Sequence, residues 1–235
     1  MAIIEIRYCF KFDKTKAEFF NLRLDSHKLE LIHKPNQNCP DWAKLEFHQC
    51  SHCSLNIGTH PNCPVAVSLY HIIERFNDVF SYDKIDLEVI TDERKVSQRT
   101  TVQEGMSSLL GLLFATSGCP HTNFLKPMAR FHLPLATVEE TIFRVTGMYL
   151  LGQYFLQKEG KDSDFMLEGL KQNYNNLQLI NTKIAERIRR VIQTDSSLNA
   201  ICSLDIFANS IMFLMEDSLD DIRCLYDSYF SGYDK

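Results

Sequence analysis

The hydrophobic period of this 235-residue chain changes once, near residue 102, and that change limits the folds open to it. Before it the pattern is mostly of period two. Residues 2–12 place Ile4, Ile6 and Tyr8 on one side and Ile3, Glu5 and Arg7 on the other; residues 84–91 alternate through Ile85, Leu87 and Val89. A period of two is that of a strand. After a polar break at Asp13–Lys16, residues 17–23 and 28–32 read as further short strands, most simply in an antiparallel meander. Asp92-Glu93 forms a turn into a partner strand over 94–101. One helix interrupts this region, over 65–80, where Val65, Leu69, Ile72, Ile73, Phe76 and Val79 recur at helical spacing.

Beyond residue 102 the period is helical. Residues 102–116 suit a buried helix that Ser117-Gly118 stops. A loop punctuated by Pro120, Pro127 and Pro134 follows. Thr137 and Glu140 then have the form of a capping box opening a helix to about 158. That helix is apolar on most sides, so a central position is expected. Segment 163–193 carries Leu167, Leu170, Tyr174, Leu177, Ile184, Ile188 and Val191 on one stripe, and Arg187, Arg189 and Arg190 near its end suit the helix dipole. Asp195 or Ser196 caps a last helix with Leu198, Ile201, Leu204, Ile211, Leu214, Leu219, Ile222 and Leu225. Short links favour antiparallel neighbours. The expected architecture is α+β: an N-terminal antiparallel β-rich unit with one helix (1–101), then an antiparallel α-helical bundle (102–235), packed as one compact domain.

Composition bounds the function classes. A chain of 45% hydrophobic and 23% charged residues is neither collagenous nor disordered, and at this length it can bury a core without disulfides. The net charge of −5 argues against nucleic acid as a partner. Residues 195–235 hold eight acids against two bases. Glu216, Asp217, Asp220 and Asp221 there form an acidic face, either a solvated surface or a docking site for a basic protein partner. Glu5 and Arg7 break the N-terminal apolar run, and no stretch approaches the ~20 apolar residues of a membrane span. The reading is a soluble cytoplasmic protein with no membrane partner.

The sharpest chemical signal is FHQCSHCSLNIGTHPNCP, residues 47–64, within a polar stretch over 34–64 that is long for an unorganised loop. Cys9, Cys202 and Cys224 sit in apolar patterns as small core residues, whereas Cys39, Cys50, Cys53, Cys63 and Cys119 sit in turn-rich sequence. Cys50-x2-Cys53 and His60-x2-Cys63 stand six residues apart, with Gly58 and Pro61 helping the chain reverse. Thiolate and imidazole are favoured zinc ligands, and structural zinc takes four. The expected site is Cys50, Cys53, His60 and Cys63. His48, His52 and Cys119 are alternative ligands. With Cys119 the set becomes four thiolates, which also suits an iron–sulfur cluster.

Segment 117–134 (SGCPHTNFLKPMARFHLP) offers a second constellation: Cys119, His121, Lys126, Arg130 and His132. As catalytic candidates they would supply a thiol nucleophile, a base and anion-holding cations, provided they converge in space. The alternative is a connector packed through Phe124, Leu125, Met128 and Phe131. There is no P-loop, G-x-S-x-G, HExxH or EF-hand pattern.

At FHQCSHC, HPNCPVAV, SSLLGLL, ATSGCPHTNFLKPMARFHLPL, EETIFR, MYLLGQYF and DSSLNAI, the chain resembles a bacterial family catalogued only as a domain of unknown function. The resemblance covers nearly the whole chain and is weakest over the first forty residues. It implies a bacterial source and a single recurrent architecture; it supplies no reaction, substrate or ligand set. The functional reading from the residues is a non-catalytic zinc-binding protein acting in interaction or regulation. The competing readings are a metal- or thiol-dependent enzyme and a redox switch at Cys50 and Cys53.

Overall fold

The computed structural model describes residues 2–13, 16–32, 39–76, 78–191, 195, 198–201, 219 and 222–232. Strand β1 (Ile3–Lys11) pairs antiparallel with β2 (Ala17–Asp25), placing Tyr8 opposite Phe20. On its other edge β1 pairs antiparallel with β3 (Lys84–Ile90), which in turn pairs with β4 (Lys95–Thr101). The sheet order is β2-β1-β3-β4, two hairpins laid edge to edge.

The alternation of period two is explained by a sheet with one covered face. Ile6, Tyr8 and Phe10 of β1, Phe20, Leu22 and Leu24 of β2, and Ile85, Leu87 and Val89 of β3 are all buried. The other face carries Lys11 and Lys95, both paired with Glu88 at 2.8 and 2.9 Å. The strand expected over 28–32 does not form. Asp25 accepts the backbone N–H groups of His27 and Lys28, closing a turn; Leu31 then makes one bridge to Leu24 and gives its N–H to the Thr116 carbonyl. The backbone here makes a turn, a bond to a helix end and, among the described residues, only two bonds back to β2, from Asp25 N–H to the Glu30 carbonyl and from Ile32 N–H to the Arg23 carbonyl.

Helix α1 (Pro64–Arg75) starts with Pro64 in its first turn, where a missing N–H costs nothing, and ends short of the expected residue 80. Helix α2 (Val102–Thr116) opens on a capping box made by Thr101 and Glu104. It lies close on the sheet at Gly105, where a Cβ would stand 2.8 Å from Phe10 Cε1. Gly118, at φ 86°, stops the chain as expected. The proline-punctuated segment is a loop only after Arg130, around Pro134. Pro120–Leu125 is a 3-10 helix and α3 (Lys126–Arg130) continues it, since Pro120 and Pro127 fall in first turns that tolerate them.

Helix α4 (Val138–Lys158) begins with the expected box of Thr137 and Glu140. Its expected central position is corrected: only Ile142, Val145 and Thr146 are buried, while Leu151 and Phe155 are more than half exposed. Among the described residues α4 is covered mainly along its N-terminal half. Helix α5 (Glu168–Ile188) buries Leu170, Tyr174, Leu177, Ile184 and Ile188 of the expected stripe, with Ile180 beside them, whereas Val191 lies beyond its end and is exposed. One hydrophobic cluster runs from Ile6 through both parts of the chain to Ile201. Residues 198–201 are helical, but most of the expected last helix, Cys202 and the acidic residues Glu216, Asp217, Asp220 and Asp221 lie outside the described residues. The class is mixed α+β. Among the described residues no helix is long and apolar enough to cross a membrane.

Candidate functional site

The cysteine-bearing loop is fastened at its base by backbone bonds. Leu45 N–H donates to the Pro61 carbonyl and Cys63 N–H to the Ala43 carbonyl, both at 2.8 Å, while Lys44 bridges Asn62. Trp42, Ala43 and Leu45 are buried and anchor this base in the core. Within the loop, Cys53 N–H donates to the Cys50 carbonyl at 3.1 Å, a tight turn that sets the two side chains near each other. Asn56 organises the tip, its side chain accepting from Gly58 N–H and its carbonyl from His60 N–H. Cys63 stands immediately before α1 and Cys119 immediately before the Pro120–Leu125 turn.

The outcome is a cluster of four thiols. Cys50, Cys53, Cys63 and Cys119 line one cavity of about 20 Å³, together with His121 and Arg187. All four cysteines are free. Burial pushes the Cys50 thiol up to about 12; its thiol neighbours Cys63, Cys119 and Cys53 add to the rise and Arg187 opposes it. Burial likewise raises Cys119 to about 11, against backbone N–H groups of His121 and Thr122 that favour its thiolate. Among the described residues, no group of three or more His, Cys, Asp or Glu is arranged to hold a metal ion as the side chains stand.

The histidines go elsewhere. His60 is exposed, bonded to Thr59 Oγ1, and is not part of the cavity wall, so the structure gathers Cys119 rather than His60 with the three loop cysteines. The physical reason is the Asn56 turn, which directs the tip outward, while the Ser117–Cys119 turn after α2 brings a distant thiol inward. His48 donates to Glu186 at 2.9 Å. His52 packs its ring on His121 with centroids 4.2 Å apart, and His121 Nε2–H donates to the His52 carbonyl. Burial and then the nearby His121 lower the His52 pKa.

Arg187 was legible only as a helix-dipole cation, and it does more. It is 1% exposed, and its guanidinium donates to the carbonyls of Trp42 and Lys44 at 2.7 Å and of Leu45 at 3.1 Å. It therefore locks the loop base onto α5. Among the described residues it has no carboxylate partner, and the groups beside it able to carry negative charge are the Cys63, Cys50 and Cys53 thiols. The sequence signal was its place on the α5 stripe, one helical turn from Ile184 and beside Ile188.

The second constellation does not converge. Cys119 belongs to the thiol cluster and His121 to its rim. Lys126 pairs with Glu30 at 2.8 Å, and Arg130 reaches toward Glu93 at 3.6 Å. His132 turns inward: Tyr8 Oη lies 2.5 Å from its Nε2, Ser108 Oγ lies 3.0 Å from Tyr8 Oη, and Leu135 N–H donates to Ser108 Oγ. Burial, with the Arg144 charge adding, pushes the His132 pKa down to about 4. A neutral imidazole then accepts the Tyr8 hydroxyl proton, and the chain of donors from Leu135 to His132 closes without conflict.

Fold and site together define a mixed α+β protein with an antiparallel sheet and a thiol cluster at a loop-to-helix junction. The chain matches, over residues 6–227, the family described as Domain of unknown function (DUF6901), and it belongs to that family. No curated protein and no solved structure matches it.

Proposed function

We propose that the protein is a non-catalytic binding protein whose loop over residues 39–63 is organised by one zinc ion held by Cys50, Cys53, Cys63 and Cys119. The observation that carries this reading is the pairing of the thiol cavity with Arg187. A guanidinium 1% exposed, with carbonyls but no carboxylate around it among the described residues, calls for compensating negative charge. Four thiolates around a divalent ion carry excess negative charge beside it and supply that compensation. The cavity of about 20 Å³ suits a single ion rather than a multi-iron cluster, since it is little more than the space of one water-sized sphere. Binding requires the four sulfurs to draw together to about 2.3 Å from the metal, by rotation of the cysteine side chains about the turn at Cys50–Cys53.

A closed four-thiolate site leaves no open position for water or substrate, so its contribution is to folding and to the shape of the loop surface. On this reading the protein works in the reducing cytoplasm, as one compact unit. The test is elemental analysis of protein purified without added metal, on the parent, Cys53→Ser, Cys119→Ser and His60→Ala. About one zinc per chain is expected in the parent and in His60→Ala, with little in either serine variant. A folded parent that carries no metal and takes up none, or loss of zinc in His60→Ala, would refute it. Reversible Cys50–Cys53 oxidation with metal release would favour a switch over a purely structural site.

A further inference from the structure

A cavity of about 550 Å³ lies between α2, the α3 turn, α4 and α5, away from the thiol cluster. Small-molecule sites span roughly 300–1,000 Å³ and are lined mainly by apolar side chains with a few polar groups. Leu112, Leu125, Met128, Leu135 and Leu177 supply carbon walls here, and His132, Arg144 and Asn181 are among the polar residues that line it. Arg144 is half-buried, with one guanidinium nitrogen donating to the Phe131 carbonyl at 2.7 Å and more weakly to that of Met128 at 3.5 Å. No carboxylate pairs with it among the described residues; Glu140 acts on it only through space. The acid that does line the cavity, Glu104, is already held by Thr100 and Thr101 at the start of α2.

Asn181 gives a second, independent sign. It is 1% exposed, and among the described residues neither its Oδ1 nor its Nδ2 has a hydrogen-bond partner. A buried amide left unpaired costs about 1–3 kcal/mol, so an unpaired amide in a cavity wall calls for a partner.

We infer that this cavity binds an amphipathic monocarboxylate, with its hydrocarbon body against the leucines and its carboxylate on Arg144. A cationic amphiphile would meet the guanidinium unfavourably, and a neutral one would leave it unpaired. The carboxylate matches the planar fork of the guanidinium and needs no other protein charge.

The experiment is calorimetric titration of the full chain with dodecanoate, dodecanol and dodecylamine. Dodecanoate binds saturably at one site, at least tenfold more tightly than dodecanol, and dodecylamine more weakly still. Arg144→Gln lowers dodecanoate affinity to the dodecanol level and leaves dodecanol unchanged, a selectivity that lost packing alone would not produce. Arg144→Lys keeps part of the preference and serves as the second variant should the glutamine form not fold. Thr141→Trp, which fills the cavity from α4, abolishes binding of all three. Equal affinities across the three probes, a preference that survives Arg144→Gln, or a folded parent that does not bind dodecanoate would each overturn the proposal.

Discussion

Replacing Arg187 with Met tests the junction of the loop and α5 most directly. The substitution keeps a flexible side chain of similar reach and removes the guanidinium. Three charge-assisted hydrogen bonds to Trp42, Lys44 and Leu45 disappear, at 2.7, 2.7 and 3.1 Å. Bonds of that kind contribute about 1.5–3 kcal/mol each, and a buried acceptor left empty costs about 1–3 kcal/mol. Removing the charge also removes its burial cost, which offsets part of the loss. The balance is a loss of about 3–5 kcal/mol, a large share of the roughly 5–15 kcal/mol that holds a domain together. Urea denaturation followed by Trp42 fluorescence reads it well, because Trp42 is the single tryptophan and its own carbonyl is one of the three acceptors. The expected result is a lower midpoint at unchanged slope, with a red-shifted native emission. Arg187→Lys, which keeps the charge but lacks the planar fork, recovers only part. An unchanged midpoint in Arg187→Met would refute the claim that this residue locks the loop.

Other consequences are independent of that junction. His132 titrates near 4 in the folded chain against an ordinary value of about 6.5, so the unfolded chain takes up the proton first. Its contribution is fully present above about pH 6.5 and is lost as the pH falls toward 4, by up to about 3 kcal/mol, and the stability profile of His132→Gln should be flatter over that window. Gly105→Ala gains about 1 kcal/mol of helix propensity but drives a methyl to 2.8 Å from Phe10 Cε1 and 3.1 Å from Ile85 Cδ1. Phe10 is packed against Phe20 and Phe76 and has little room to yield, so overpacking of about 1–3 kcal/mol wins and the melting temperature falls. Thr137→Ala removes the acceptor for Glu140 N–H and should cost about 1 kcal/mol, read as faster amide exchange in the first turn of α4; an unchanged exchange rate would contradict the capping-box reading.

Local rules carried much of the fold. The alternation through Ile6, Tyr8 and Phe10 named the covered face of β1 because one side of the sheet meets helices and the other meets water. Thr137, Glu140 and Gly118 marked helix ends because caps depend on bonds within a few residues. The failures have equally local causes or none. At 28–32 the Asp25 turn outcompeted strand pairing. In α4 the spread of apolar residues gave no face, and the side it buries follows from where α3 lies.

The candidate site shows the same division. Spacing was enough to bring Cys50 and Cys53 together, since a two-residue gap closes in one turn. Nothing in spacing could choose Cys119 over His60, because their sequence separations from Cys63 point the opposite way. That choice belongs to the turn after α2 and to the tip held by Asn56. The sequence by itself determined most element types, the cap at Thr137 and Glu140 and the presence of a thiol-rich loop, all of which are set by interactions over a few residues. Only the tertiary structure decided which distant side chains share a cavity, that Arg187 stands buried beside the thiols, and that His132 turns inward to Tyr8. Those outcomes depend on how whole elements pack, and packing is a property of the assembled chain rather than of any one segment.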